Sequence, residues 1–245
     1  MTTDHHYPNA PITEALIDIQ VGPAIAVAEL QYAHVGEEST YPTTEKMNAT
    51  TGALRFGPDN NAVATATSQP LGFLYRSPDG LQIYQARTNG FTFSRLARYP
   101  HWSVFSGEAR RLWDKYRAVT KPAEITRVAV RYVNRIDIPL PLTNFGDYLR
   151  TFPQLSPDLP QGLSGYLMQL MIPLAEMKCE GIINQALIEP AKPGVVSVVI
   201  DIDIFRATDL PANEEQLWTL LEQLRNAKNT VFEACITDDA RRLFK

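Results

Sequence analysis

Ile125-Thr126-Arg127-Val128-Ala129-Val130-Arg131-Tyr132-Val133-Asn134-Arg135-Ile136-Asp137-Ile138 alternates in chemical character at nearly every step. Thr126, Val128, Val130, Tyr132, Ile136 and Ile138 fall on one parity, interrupted only by Asn134. The other parity carries Arg127, Arg131, Arg135 and Asp137, with Ala129 and Val133 between them. Successive side chains of a β-strand point to opposite faces, so the pattern predicts a long strand with one apolar face and one lined by guanidiniums. At about 3.3 Å per residue, successive arginines of that row stand roughly 13 Å apart. On an uncovered sheet such a row offers bidentate donors to phosphates or carboxylates. A second outcome is equally physical. Glu14 and Asp18 share a face of the first strand, and Asp201 and Asp203 a face of the last. If those strands flank the arginine strand, the charges pair across the sheet.

Outward from this strand, Ile12 to Val21 also alternates, with Ala15, Ile17, Ile19 and Val21 on the apolar side, and Gly22-Pro23 stops it. Ala24 to Val35 is Ala-rich with helical spacing, and 36–51 is polar and turn-rich, so a helix and then a loop are expected. Leu71–Arg76, Leu81–Thr88 and Phe91–Leu96 read as strands, joined by Ser77-Pro78-Asp79-Gly80 and by the hairpin signal Asn89-Gly90. Trp102–Tyr116 places Phe105, Ala109, Leu112, Trp113 and Tyr116 on one helical face. Beyond the arginine strand, Phe145–Phe152 predicts a short helix. Three strands follow near Tyr166–Leu174, Gly181–Glu189 and Val195–Phe205. Asn213 caps a long helix, Glu214–Cys235, that carries Leu217, Leu220, Leu221, Leu224 and Phe232.

Both halves, 1–122 and 123–245, therefore run strand, helix, three strands, long helix. The expected class is α+β: two βαβββα-like halves of one body, joined edge to edge in a curved antiparallel sheet with helices on one face. By fold analogy this is a TATA-binding-protein-like arrangement. A dimeric α+β barrel built from the same elements is the alternative.

The net charge of −4 argues against a dedicated nucleic-acid binder, and Tyr132 lies opposite the arginine row rather than beside it, so a base-stacking platform is disfavoured. No apolar run approaches the roughly 20 residues that span a bilayer. The first residues have neither a basic nor an apolar signal region, and Cys179 and Cys235 form no CxxC pair, so a reducing cytoplasm is expected. His5 and His6 sit in a tail and His34 and His101 are isolated, without metal-ligand spacing. No nucleophile elbow, P-loop or dinucleotide fingerprint occurs, and no cofactor is expected. Asp201 and Asp203 could hold Mg²⁺ in a hydrolase or nuclease, but their segment supplies neither a third carboxylate nor a nearby Lys or His.

Four segments together carry a resemblance: Asn9-Ala10-Pro11-Ile12-Thr13-Glu14-Ala15, the helix Trp102–Tyr116, the central Arg127–Ile136, and Val231-Phe232-Glu233, with Tyr41-Pro42 between the first two. In this order and spacing the chain resembles a sporadically distributed prokaryotic family of about this chain's length whose function is not established. The resemblance implies an accessory role, in defence or toxin–antitoxin systems, and assigns no catalytic residue.

The functional expectation is a non-enzymatic binding protein that engages an anionic small ligand or a partner protein through Arg127, Arg131, Arg135 and Asn134. The alternatives are a metal-assisted hydrolase using Asp201 and Asp203, and an antitoxin-like interaction protein. A homodimer is allowed.

Overall fold

The computed structural model describes residues 7–56 and 62–245. They form one open antiparallel sheet of nine strands: β1 (Ile12–Gly22), β2 (Thr43–Phe56), β3 (Ala62–Arg76), β4 (Gln82–Arg87), β5 (Gly90–Leu96), β6 (Glu124–Pro139), β7 (Leu167–Leu174), β8 (Cys179–Ile188) and β9 (Val195–Arg206). The order across the sheet is β2-β3-β4-β5-β1-β6-β9-β8-β7. Four helices accompany it: α1 (Val27–Leu30), α2 (Trp102–Thr120), α3 (Glu214–Cys235) and α4 (Asp238–Arg242). None of the helices among the described residues is long and apolar enough to cross a membrane.

Parity decides which face the helices cover. Val128, Val130, Tyr132, Ile136 and Ile138 of β6 are buried, with Ala15, Ile17 and Ile19 of β1 and Val198, Ile200, Ile202 and Ile204 of β9. α2 brings Phe105, Ala109, Leu112, Trp113 and Tyr116 to this core, and α3 brings Leu217, Leu220, Leu221 and Leu224. Each of the large aliphatic and phenylalanine side chains contributes roughly 1.5–3 kcal/mol on leaving water, which is what holds two long helices to one side of the sheet. At its start α3 is fixed by Asn213, whose side chain accepts from the N–H of Gln216, with Glu214 and Glu215 in the first turn.

Three segments depart from expectation. The loop expected over 36–51 contains most of β2, an edge strand whose Thr, Asn, Glu and Lys side chains are largely exposed and so lack apolar alternation. The helix expected over Ala24–Val35 shrinks to α1 and one 3-10 turn, Gln31–His34. Tertiary contacts explain this: His34 stacks on Tyr75 with centroids 4.1 Å apart, and Glu37 is gripped by Arg111 and Lys115 at 2.6 Å. Phe145–Phe152 holds only the 3-10 turn Phe145–Asp147, because Leu149 bridges to Ile236 in extended form.

The β4–β5 hairpin turns on Thr88-Asn89, with Arg87 paired to Gly90. Gly90 has φ +156°, and a Cβ there would come within 2.5 Å of the Ile19 carbonyl oxygen of β1. Only glycine lets β1 approach so closely.

Candidate functional site

The helix-free face of the sheet carries the arginine row. Arg131 stands opposite Asp203 in the β6–β9 register, yet its guanidinium forks onto Asp201, at 2.7 and 2.6 Å. Asp203 is taken instead by Arg127, at 2.6 Å, which also reaches Asp18 and lies over the Phe205 ring. Asp18 further accepts from Arg87 and Thr92. Arg135 pairs with Asp137 at 3.0 Å and donates to Ser197. Every guanidinium of the row thus faces a carboxylate: Arg127 and Arg131 pair with neighbouring strands, as expected of opposite charges across a sheet, and Arg135 with Asp137 two residues on in β6 itself.

The environment of each group follows from these contacts. Hydrogen bonds to Asp201 raise the Arg131 pKa above its ordinary value, with a smaller contribution from the charge of Glu14. Burial pushes the carboxyl of Asp203 up, against the pull of Arg127. One oxygen of Asp203 and the Nε of Arg87 are buried without a hydrogen-bond partner among the described residues. Binding Mg²⁺ at Asp201 and Asp203 would require releasing both from their arginines. No group of three or more potential ligands (His, Cys, Asp or Glu) that could hold a metal occurs among the described residues.

Asn134 lies on the other face. It interrupts the apolar parity of β6 and is only 2% exposed, donating to the Ile200 carbonyl at 3.1 Å. Above it opens a cavity of about 450 Å³ on the helix side, within the range of small-molecule sites. Tyr132 and Asn134 belong to its lining, as do Asn9, Pro11 and Ile12, the loop Arg98-Tyr99-Pro100-His101, and Arg225, Lys228 and Glu233 of α3.

Several local features hold this cavity open. Ile12 pairs with Asn134 but Glu14 with Val133, so Thr13 is the extra residue of a β-bulge at the rim, its hydroxyl donating to the Val133 carbonyl. The Asn9 N–H donates to Phe244 and its side chain to Lys245, fixing the N-terminal wall. The Tyr132 hydroxyl donates to that of Tyr99 at 2.7 Å, and burial raises the Tyr132 pKa well above the usual phenol range. Tyr7 donates to Glu233, which also binds Arg241. Burial, with Glu233 beside it, pushes the Tyr7 phenol up to about 12.

Four segments distant in the chain meet here: Asn9 to Ile12, Trp102, Tyr132 with Asn134 of β6, and Phe232-Glu233 of α3. Among the described lining residues Arg98, Arg225 and Lys228 are cationic and Glu233 is the carboxylate. Lys228 and Arg225 continue the apolar stripe of α3 at helical spacing, four residues after Leu224 and Leu221. A charge on a core-facing stripe was the available signal. Tyr99 and Arg98 come from an irregular loop and had none.

The remaining histidines and the cysteines form no site of their own. His34 sits beside Tyr75 and Tyr84, its Nδ1 2.9 Å from the Tyr84 hydroxyl, and burial lowers its pKa. His101 reaches the cavity wall, and His5 and His6 lie outside the described residues. Cys179 and Cys235 are buried, free thiols. No protein-family model matches the chain, and no curated protein matches it.

Proposed function

We propose that the protein is a binding protein without chemistry of its own, and that its ligand is a small anion with a flat apolar portion, held in the cavity over Tyr132 and Asn134. The observation that carries this is the siting of Lys228. It is 5% exposed, lies over the Tyr132 ring and is built into the wall of a cavity that aromatic rings and asparagines share with Arg98, Arg225 and Glu233. An ammonium so placed adds a strong field where water is scarce and charge interactions are strengthened. Tyr99, Trp102 and Phe232 supply apolar wall, and His101 also lines the cavity.

The test uses 1-anilinonaphthalene-8-sulfonate, an anionic aromatic dye. Saturable binding by the native protein should weaken by about tenfold or more in Lys228→Met, the loss of a charge-assisted contact. Undiminished binding in Lys228→Met with loss in Arg131→Ala would move the anion site to the sheet face.

A second reading keeps the arginine face as a docking surface for a partner protein, as an antitoxin-like role would need. It is favoured by Arg131, whose side chain stays 46% exposed although paired.

We also infer that residues 1–122 and 123–245 are duplicated halves in a TATA-binding-protein-like arrangement. Support comes from the strand order, in which the opening strands of the two halves, β1 and β6, pair with each other near the centre and each half places one long helix, α2 or α3, after its strands. The halves are not identical in order, since among the described residues the first has five strands and the second four.

A further inference from the structure

The sheet ends at β7, whose sequence Leu167-Met168-Gln169-Leu170-Met171-Ile172-Pro173-Leu174 contains no charge. The N–H of Leu187 in β8 donates to the carbonyl of Tyr166, and Leu167 lies opposite Ala186. Backbone groups alternate sides along an antiparallel strand, so the even residues address β8 and the odd ones face outward. Leu167, Gln169 and Met171 therefore direct their N–H and C=O groups away from the sheet, and Pro173, which has no N–H, falls on this same outward side.

The side chains of the odd residues lie on the helix-free face, where Gln169 donates to Asn184 and Asn184 to Asp201. Leu167 is 81% and Met171 68% exposed, the two highest values among the exposed large hydrophobics of the described residues. Natural edges are usually guarded by charge, as β2 is by Glu45 and Lys46. β7 is not.

We infer that β7 is a self-association edge, and that its occupant is β7 of a second copy of this chain. Antiparallel pairing about a twofold axis through Gln169 sets Gln169 against its own counterpart, Leu167 against Met171 of the second copy, and Met171 against its Leu167. Residues of like parity meet, so the outward N–H groups of all three residues find carbonyls and the apolar side chains pack together. Because the strand is uncharged, the twofold brings no like charges together. Pro173 falls beyond the paired core and interrupts no bond within it. An interface of one strand pair and two apolar residues per copy is below about 1,200 Å², which places it among the weak, concentration-dependent class.

Sedimentation velocity of the full chain from about 1 to 300 μM tests the pairing, the range in which such weak contacts titrate. The native protein should shift from monomer to dimer across it. L167K/M171K and L167E/M171E should each remain monomeric, since both side chains are exposed and each pair then opposes like charges. Mixed, the two variants should form a heterodimer. A native monomer at every concentration, a dimer indifferent to the lysines, or a mixture that stays monomeric overturns the pairing.

Discussion

The Nζ atom of Lys228 lies 3.7 Å from the centre of the Tyr132 ring. A cation held against an aromatic face away from water is worth about 0.5–2 kcal/mol. Tyr132→Phe keeps that ring and removes only the hydroxyl bonded to Tyr99, so it should cost about 1 kcal/mol and leave dye binding intact. Tyr132→Leu removes the ring, leaving Lys228 without its platform; dye affinity should fall with stability. Parallel thermal melts and dye titrations separate the two effects.

The two aspartates of β9 should not be equivalent. Asp201 accepts both arms of Arg131 and the amide of Asn184, whereas Asp203 keeps one buried oxygen without a hydrogen-bond partner among the described residues. Asp201→Asn should therefore cost more than Asp203→Asn, by about 1 kcal/mol in urea denaturation. Equal costs would mean that the fork on Asp201 adds nothing.

Acid should loosen the segment that follows β1. Hydrogen bonding to Arg111, then Lys115, holds the Glu37 carboxyl down to about 2, below its unfolded value. A depressed carboxylate stabilises above its unfolded pKa, and that stability drains as pH falls toward the folded one. His34 works in the same direction: burial lowers its pKa, so its neutral form favours the fold and protonation below its ordinary value opposes it. Stability measured from pH 7 to pH 2 should decline first through the His34 range and then below about 4.5, the ordinary Glu value. In Glu37→Gln the second decline should flatten.

Gly90→Ala should be among the most harmful small substitutions. The added methyl would meet the Ile19 carbonyl at 2.5 Å in a backbone conformation that L-residues avoid. A loss of about 2 kcal/mol or more is expected, or a fall in Tm of roughly 4–8 °C for a chain of this size. An unchanged Tm would show that β5 can shift away from β1.

The elements with strong periodicity were legible. Both faces of β6 could be assigned from parity alone, and α3 runs over the predicted Glu214–Cys235 with the predicted cap. β2 was not legible, because a strand exposed on a sheet edge needs no apolar face and its Thr- and Asn-rich run looks like a loop. The arginine row was visible as chemistry, but not which carboxylate each guanidinium would choose: the fork of Arg131 onto Asp201 rather than Asp203 depends on side-chain reach across a twisted sheet. Asn134 stood out as a break in parity, yet nothing in one strand tells which neighbours will surround it. The cavity needs a bulge, a loop and a helix face from distant parts of the chain, and such convergence leaves little local trace.

Asp18 of the first strand pairs with Ala129, and the midline of the sheet is the seam between β1 and β6. β1 is thus a strand whose second neighbour, β6, is made only after β2 to β5 and α2 have been synthesised. Until then its hydrogen-bonding edge has no partner of its own, and contacts that span such separations assemble slowly. During synthesis the nascent stretch from β1 to α2 is the one most open to chaperone capture, and a ribosomal pause before residue 124 would prolong that stage.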